Sequence, residues 1–227
     1  MLNKLPGKGG SMKSGNFWYL FVGLLAVLLV MPFTSNLPGG GRYSIALLFS
    51  VFMLIAVWSL AASKRVFQFG TLLVVGITSS VGFNIVVGVN QVMEMIELLM
   101  MVIFCGLSCS IAARNVFVWH RVDLNSLVGA FCVYLLMGLI WALMYRMLLL
   151  CGLGHFSGNI ATQTHELFPD LIYFSFVTLA SLGYGDISPI GGLPKTLAYL
   201  EALVGQFYLA VMVASLVGVY SSRRNRG

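Results

Sequence analysis

The chain has 227 residues, of which 59% are hydrophobic and 9% charged, and its mean hydropathy is +0.94. A soluble domain of this size carries about a quarter charged residues, so the composition places the chain in a membrane. The net charge of +6 reads as Lys and Arg held on a cytoplasmic face, not as a surface for nucleic acid.

Residues 1–16 are polar and glycine-rich, with Lys4, Lys8 and Lys13, and are expected to form a cytoplasmic arm. Residues 17–33 are the first apolar span. A positive arm before an apolar run also fits a signal peptide, but no small-x-small cleavage site stands near Thr34-Ser35-Asn36. After the turn Leu37-Pro38-Gly39-Gly40-Gly41-Arg42, residues 43–62 form a second span of about the 20 residues that a bilayer core demands. Ser63-Lys64-Arg65 closes it. The third span, 66–89, is rich in the small residues that let helices approach closely in lipid. The fourth covers 92–113 and ends at Arg114, followed by a basic, aromatic connector with Trp119, His120 and Arg121. The fifth covers 124–150. Residues 151–167 are polar. Pro169, a residue favoured at a first helical position, opens a short helix to residue 179. At about 1.5 Å per residue that helix reaches only about half-way through a bilayer core. A loop at 187–192 precedes the last span, 194–220, and residues 223–227 are a basic tail with Arg223, Arg224 and Arg226.

Six spans put both termini on one side. All of the 13 Lys and Arg except Arg42, Arg146 and Lys195 fall on that side, so the termini are expected in the cytoplasm. A voltage sensor needs Arg or Lys at every third position of the fourth span; that span has only Arg114, at its end. Cys105, Cys109 and Cys132 read as small buried side chains, Cys151 has no evident partner, and no Cys/His spacing suggests a metal site.

From the last two residues of the short helix onward, before the last span, the chain reads Thr178-Leu179-Ala180-Ser181-Leu182-Gly183-Tyr184-Gly185-Asp186. Two glycines let backbone carbonyls turn in directions that other residues forbid. Four such strands about an axis would offer rings of carbonyl oxygens in place of an ion's water shell. The run Ser181-Leu182-Gly183-Tyr184-Gly185-Asp186 resembles the selectivity filter of potassium channels, usually Thr-Val-Gly-Tyr-Gly-Asp. With the flanking helices the resemblance covers about residues 124–220.

The resemblance implies an all-α membrane protein. It would have six transmembrane helices and a half-length re-entrant pore helix, and assemble as a homotetramer about a central pore. A four-helix region (17–122) would precede a pore domain (123–222). Potassium, the permeant ion, would be held by the carbonyls of Ser181, Leu182, Gly183 and Tyr184 and by the Ser181 hydroxyl, with Gly185 completing the filter. Asp186 would stand at the outer mouth, held by the Tyr173 hydroxyl, and Thr178 would support the filter from the pore helix. The Tyr184 ring would pack outward against Tyr173 and Phe174. Ser181 keeps the hydroxyl of the usual Thr without its methyl, Leu182 is larger than the usual Val or Ile, and Val177 stands where some relatives carry a bracing carboxylate. Gly205 is either a hinge or a close-packing site. Gln206, Leu209 and Val213 share one helical face and are expected to line the cavity.

Glu201, ionisable within a span, is expected either to brace the pore helix or to pair with Lys195, with a gating role as the other reading. Glu94 and Glu97 read as solvated groups at the interface, or as a cation-attracting or pH-sensing pair with His155 or His165. The polar groups show no nucleophile–base or metal-ligand spacing, so no enzyme activity is expected. The first and last three spans show no repeat of the kind common in transporters. The expected function is a potassium-selective channel; the alternatives are a weakly selective cation channel or a non-conducting regulatory subunit. The expected surroundings are membrane lipid and further copies of the chain, with no cofactor, no nucleic acid and no soluble regulatory domain. Its compactness resembles that of simple microbial channels, which implies a bacterial inner (plasma) membrane.

Overall fold

The computed structural model describes residues 17–36, 41–60, 64–87, 90–118, 124–161 and 164–224. The expected arm (1–16), the connector residues 119–123 and the end of the tail (225–227) lie outside the described residues.

The elements run α1 (Phe17–Val30), a short 3-10 turn (Met31–Asn36), α2 (Gly41–Leu60), α3 (Lys64–Val87), α4 (Gln91–Val118), α5 (Leu124–Leu150), β1 (His155–Gly158), α6 (Thr164–Leu179), β2 (Ile187–Ile190) and α7 (Gly192–Arg224). Among the described residues three stretches are helical, long and apolar enough to cross a membrane: Gln91–Val116, Leu124–Leu150 and Gly192–Ser215. The apolar stretches Phe17–Phe33, Leu48–Ser59, Gly70–Ser80 and Leu167–Leu179 are shorter among the described residues.

The all-α expectation needs one amendment. β1 and β2 pair antiparallel, His155 opposite Ile190 and Gly158 opposite Ile187. These strands lie in what the sequence presents as polar loops on either side of the filter run. Several helix boundaries also move: α2 and α3 each begin two residues earlier than expected, and α7 runs from Gly192 to Arg224, taking in Arg223 and Arg224 of the expected tail. α6 starts at Thr164, so Pro169 is in its second turn rather than at its head. The missing proline N–H removes one link beside the first turn, whose amides lack helical partners in any case. α4 continues past Arg114 to Val118. Arg114 is exposed, and a charged side chain that reaches water does not end the backbone hydrogen-bond ladder.

α5 is the central support. α4 packs along it most extensively, and α1, α6 and α7 also touch it. Phe17, Leu20, Leu24 and Val27 of α1 are buried at helical spacing. The Asn125 side-chain oxygen of α5 accepts the Phe17 N–H at 3.1 Å, which ties the start of α1 to the start of α5. The main apolar core joins α1 to α5 with Phe168 and Ile172 of α6. A second cluster, Tyr145, Leu171, Phe174 and Ile187, fills the space behind α6 and under the sheet.

Candidate functional site

α6 ends in a defined cap. The Ala180 N–H donates to Phe176 O at 3.0 Å, Ser181 N–H to Thr178 O at 2.9 Å and Leu182 N–H to Val177 O at 2.9 Å. The last two are the paired bonds of a Schellman motif, which normally places glycine in the left-handed position. Here that residue is Ser181, with φ 55°. The backbone of Thr178 thus shapes the turn into the filter run. Beyond it, Gly183 (φ 57°) and Gly185 (φ 79°) are also left-handed. A Cβ at either would meet nothing within 4 Å, so backbone conformation, not crowding, calls for glycine there.

Residues 181–186 are all exposed. Asp186 is held on two sides. Its Oδ2 accepts the Tyr173 hydroxyl at 2.7 Å, and its backbone oxygen accepts the Asn159 N–H at 2.8 Å. Asn159 follows β1, so the sheet fixes the C-terminal end of the run. The Asp170 carboxylate of α6 accepts the Ala161 N–H at 2.7 Å and ties down the same loop. Phe174 packs edge-on against Tyr145 and Phe156, with ring centres 5.2 and 5.1 Å apart, while Tyr184 is 68% exposed.

At the N-terminal end of the run, the Gln206 side-chain amide donates to the Ser181 hydroxyl at 3.0 Å. Gln206 and Val213 are exposed and Leu209 half-buried. Gly205 is buried against the end of α6. α7 therefore meets the end of α6 through Gly205 and the filter run through Gln206.

Glu201 is fully buried and lies behind α6. The Tyr145 hydroxyl donates to its Oε2 at 2.6 Å, and Ser175 Oγ lies 2.5 Å from its Oε1. Of the two contacts expected for this group, the structure has the one with the pore helix. Glu94 and Glu97 are not solvated as expected. Glu94 pairs with Arg146 across α4 and α5, and Glu97, 8% exposed, accepts the Ser80 hydroxyl at 2.9 Å. His155 is exposed on β1; the side chain of His165 lies outside the described residues. Among the described residues no group of His, Cys, Asp and Glu could hold a metal ion.

Sequence reading singled out the filter run, Tyr173, Gln206 and Glu201, but missed Tyr145, Ser175, Arg146 and Asn159. None of these carries a local motif; each matters through a partner distant in the chain.

The sequence profile of a family described as "Ion channel" matches residues 131–222. The chain is 41% identical over 101 residues to protein LctB of Bacillus caldotenax, covering 43% of this chain and 75% of that protein. It is 39% identical over 95 residues to the inward rectifier potassium channel Kirbac3.1 of Paramagnetospirillum magnetotacticum, 42% of this chain and 29% of the relative. It is 31% identical over 93 residues to two-pore potassium channel 2 of Arabidopsis thaliana, 41% of this chain and 18% of the relative. No solved structure shows significant similarity to the chain.

Proposed function

The chain belongs to the ion channel family and carries the pore module of potassium channels, and from that premise we propose that it passes potassium selectively through a pore formed by four copies. The observation that carries this reading is the exposed run Ser181–Asp186, held at the C-terminal end of α6 between two membrane-length helices. One strand cannot ring an ion. Irregular backbone at membrane depth also needs protein or a water-filled path around it, and four runs about an axis meet both needs. The face of α7 supports the assembly: only 11% of its span is buried within one chain, against 56% for α5.

In this reading potassium is the permeant ligand, held by the carbonyls of Ser181, Leu182, Gly183 and Tyr184 and by the Ser181 hydroxyl. Asp186, held by Tyr173, sets the outer mouth. The C-terminal end of α6 carries the partial negative charge of a helix dipole and favours a cation in the cavity. Gln206, Leu209 and Val213 line that cavity. Residues 123–222 form the pore domain, with the four helices of 17–122 beside it. In this reading the three long apolar stretches of α4, α5 and α7, together with α1, α2 and α3, cross the plasma membrane of a bacterial cell, with both termini in the cytoplasm.

Weakly selective cation conduction is the second reading. It is favoured by Ser181 and Leu182, which depart from the usual Thr and Val. Ion flux into liposomes holding the purified protein separates the two. Potassium-driven flux that barium blocks, with little response to sodium, is expected. Equal sodium flux would replace selectivity with general cation passage. No flux in either salt would make the chain a non-conducting subunit.

A further inference from the structure

Conduction through the filter makes no use of Glu201, yet this group is the most completely enclosed carboxylate among the described residues, at 0% exposure. An ionisable side chain at membrane depth is costly and normally has a task. Its surroundings define one. Tyr145 of α5 donates its hydroxyl proton to Oε2 at 2.6 Å. Ser175 of α6 has its Oγ 2.5 Å from Oε1 and also 2.8 Å from the backbone oxygen of Gly138 on α5.

The protons must be counted. A serine hydroxyl has one, and a backbone carbonyl and an ionised carboxylate have none to give. Ser175 cannot donate to both Gly138 and an ionised Glu201. One of the two contacts would then bring buried oxygens together with no hydrogen between them. A proton on Glu201 Oε1 removes the conflict. Tyr145 donates to Glu201, Glu201 donates to Ser175, and Ser175 donates to Gly138. Every link then has its own hydrogen. The chain runs from α5 through α7 to α6 and back to α5, one helical turn before Gly205 meets the end of α6.

We propose that Glu201 is held as the neutral acid and is a positioning residue for the filter. By donating to Ser175 it clamps α6 between α5 and α7 and so fixes where the run after α6 begins. Its effect on ion passage rests on the channel function proposed above; the hydrogen-bond chain itself does not.

The test combines two readouts on the full chain in lipid. The first is the infrared difference between wild type and Glu201→Gln, which should contain the carbonyl stretch of a protonated carboxylic acid. The second is the ratio of potassium to sodium flux. Glu201→Gln keeps an acceptor for Tyr145 and a donor for Ser175, and should hold the ratio within about twofold. Glu201→Val and Ser175→Ala leave buried partners unmatched and should lower it about tenfold, with unchanged elution on gel filtration. If the valine variant does not fold, Tyr145→Phe removes one link at nearly constant shape and should shift the ratio in the same direction. Absence of the acid band overturns the proposal, and so does a glutamine variant as impaired as the valine one. Unchanged selectivity in Glu201→Val, or in its Tyr145→Phe substitute, also overturns it. A wild type that passes both ions equally defeats the selective reading instead, and the infrared band then decides the state of Glu201 alone.

Discussion

A Cβ added to Gly205 would lie 2.1 Å from the carbonyl oxygen of Leu179, the last residue of α6. The obstacle is backbone, at a helix end whose cap leads directly into the filter run. Of the two roles expected for this glycine, close packing has a physical cause in the structure, and α7 runs through it as one helix. Gly205→Ala should therefore destabilise by about 1–3 kcal/mol through overpacking, seen as a lower midpoint for thermal unfolding of the purified protein. A hinge role alone predicts the opposite sign, because alanine favours a helix interior over glycine by about 1 kcal/mol.

The bond from Gln206 to Ser181 makes a prediction about selectivity. Threonine, the usual residue at the base of a filter, has its χ1 restricted by the branch at Cβ. Ser181 lacks that branch, and the Gln206 amide, 3.0 Å away, selects one orientation of its hydroxyl. Gln206→Leu should lower the potassium-to-sodium flux ratio in the native background and have little effect beside Ser181→Thr. A double-mutant cycle should give a coupling of about 0.5–1.5 kcal/mol. Additive effects would mean that the amide does not orient the hydroxyl.

In the proposed channel, where Asp186 stands at the outer mouth, two substitutions should act there unequally. Tyr173→Phe removes one hydrogen bond to Asp186 and leaves the backbone link from Asn159. Gly158→Ala is more disruptive: its Cβ would lie 1.9 Å from the Asp186 backbone oxygen, and φ is 100° there. The expected order of current loss in low external potassium is wild type slowest, then Tyr173→Phe, then Gly158→Ala. A Gly158→Ala channel as durable as wild type would show that the sheet does not hold the filter's outer end.

How much of this arrangement can be read from residues alone depends on the distance between partners. α5 has the bounds 124–150 that hydropathy suggests, because a long apolar run fixes its own length. Tyr173 stands 13 residues before Asp186, and the resemblance to potassium channels, not spacing, is what pairs the two. β1 and β2 are four residues each, with Gly, Ser and Pro and no apolar alternation, and only their pairing makes them strands. Glu94 and Glu97 look solvated until Arg146 and Ser80 are brought across from other helices. Pro169 looks like a helix start because proline is common there, yet one missing amide in a second turn is tolerated.

The Arg146–Glu94 pair links α4 to the pore helices and tests whether the first four helices act on them. The side chains are 7% and 13% exposed, and Gln91 one turn earlier donates to Leu150 O at 2.7 Å. Opposite charges enclosed by protein hold one another. Removing one leaves the other buried without its counter-charge, which costs about 3–5 kcal/mol, whereas exchanging both for apolar side chains of similar volume is often neutral or better. Glu94→Leu and Arg146→Met should each lower the thermal midpoint and the yield of folded protein, and the double variant should recover both. Flux then separates a structural weld from a functional one. A double variant with restored stability and wild-type flux assigns the pair to folding alone. Restored stability with altered open time in single-channel recordings shows that α4 acts on α5 through this charge pair.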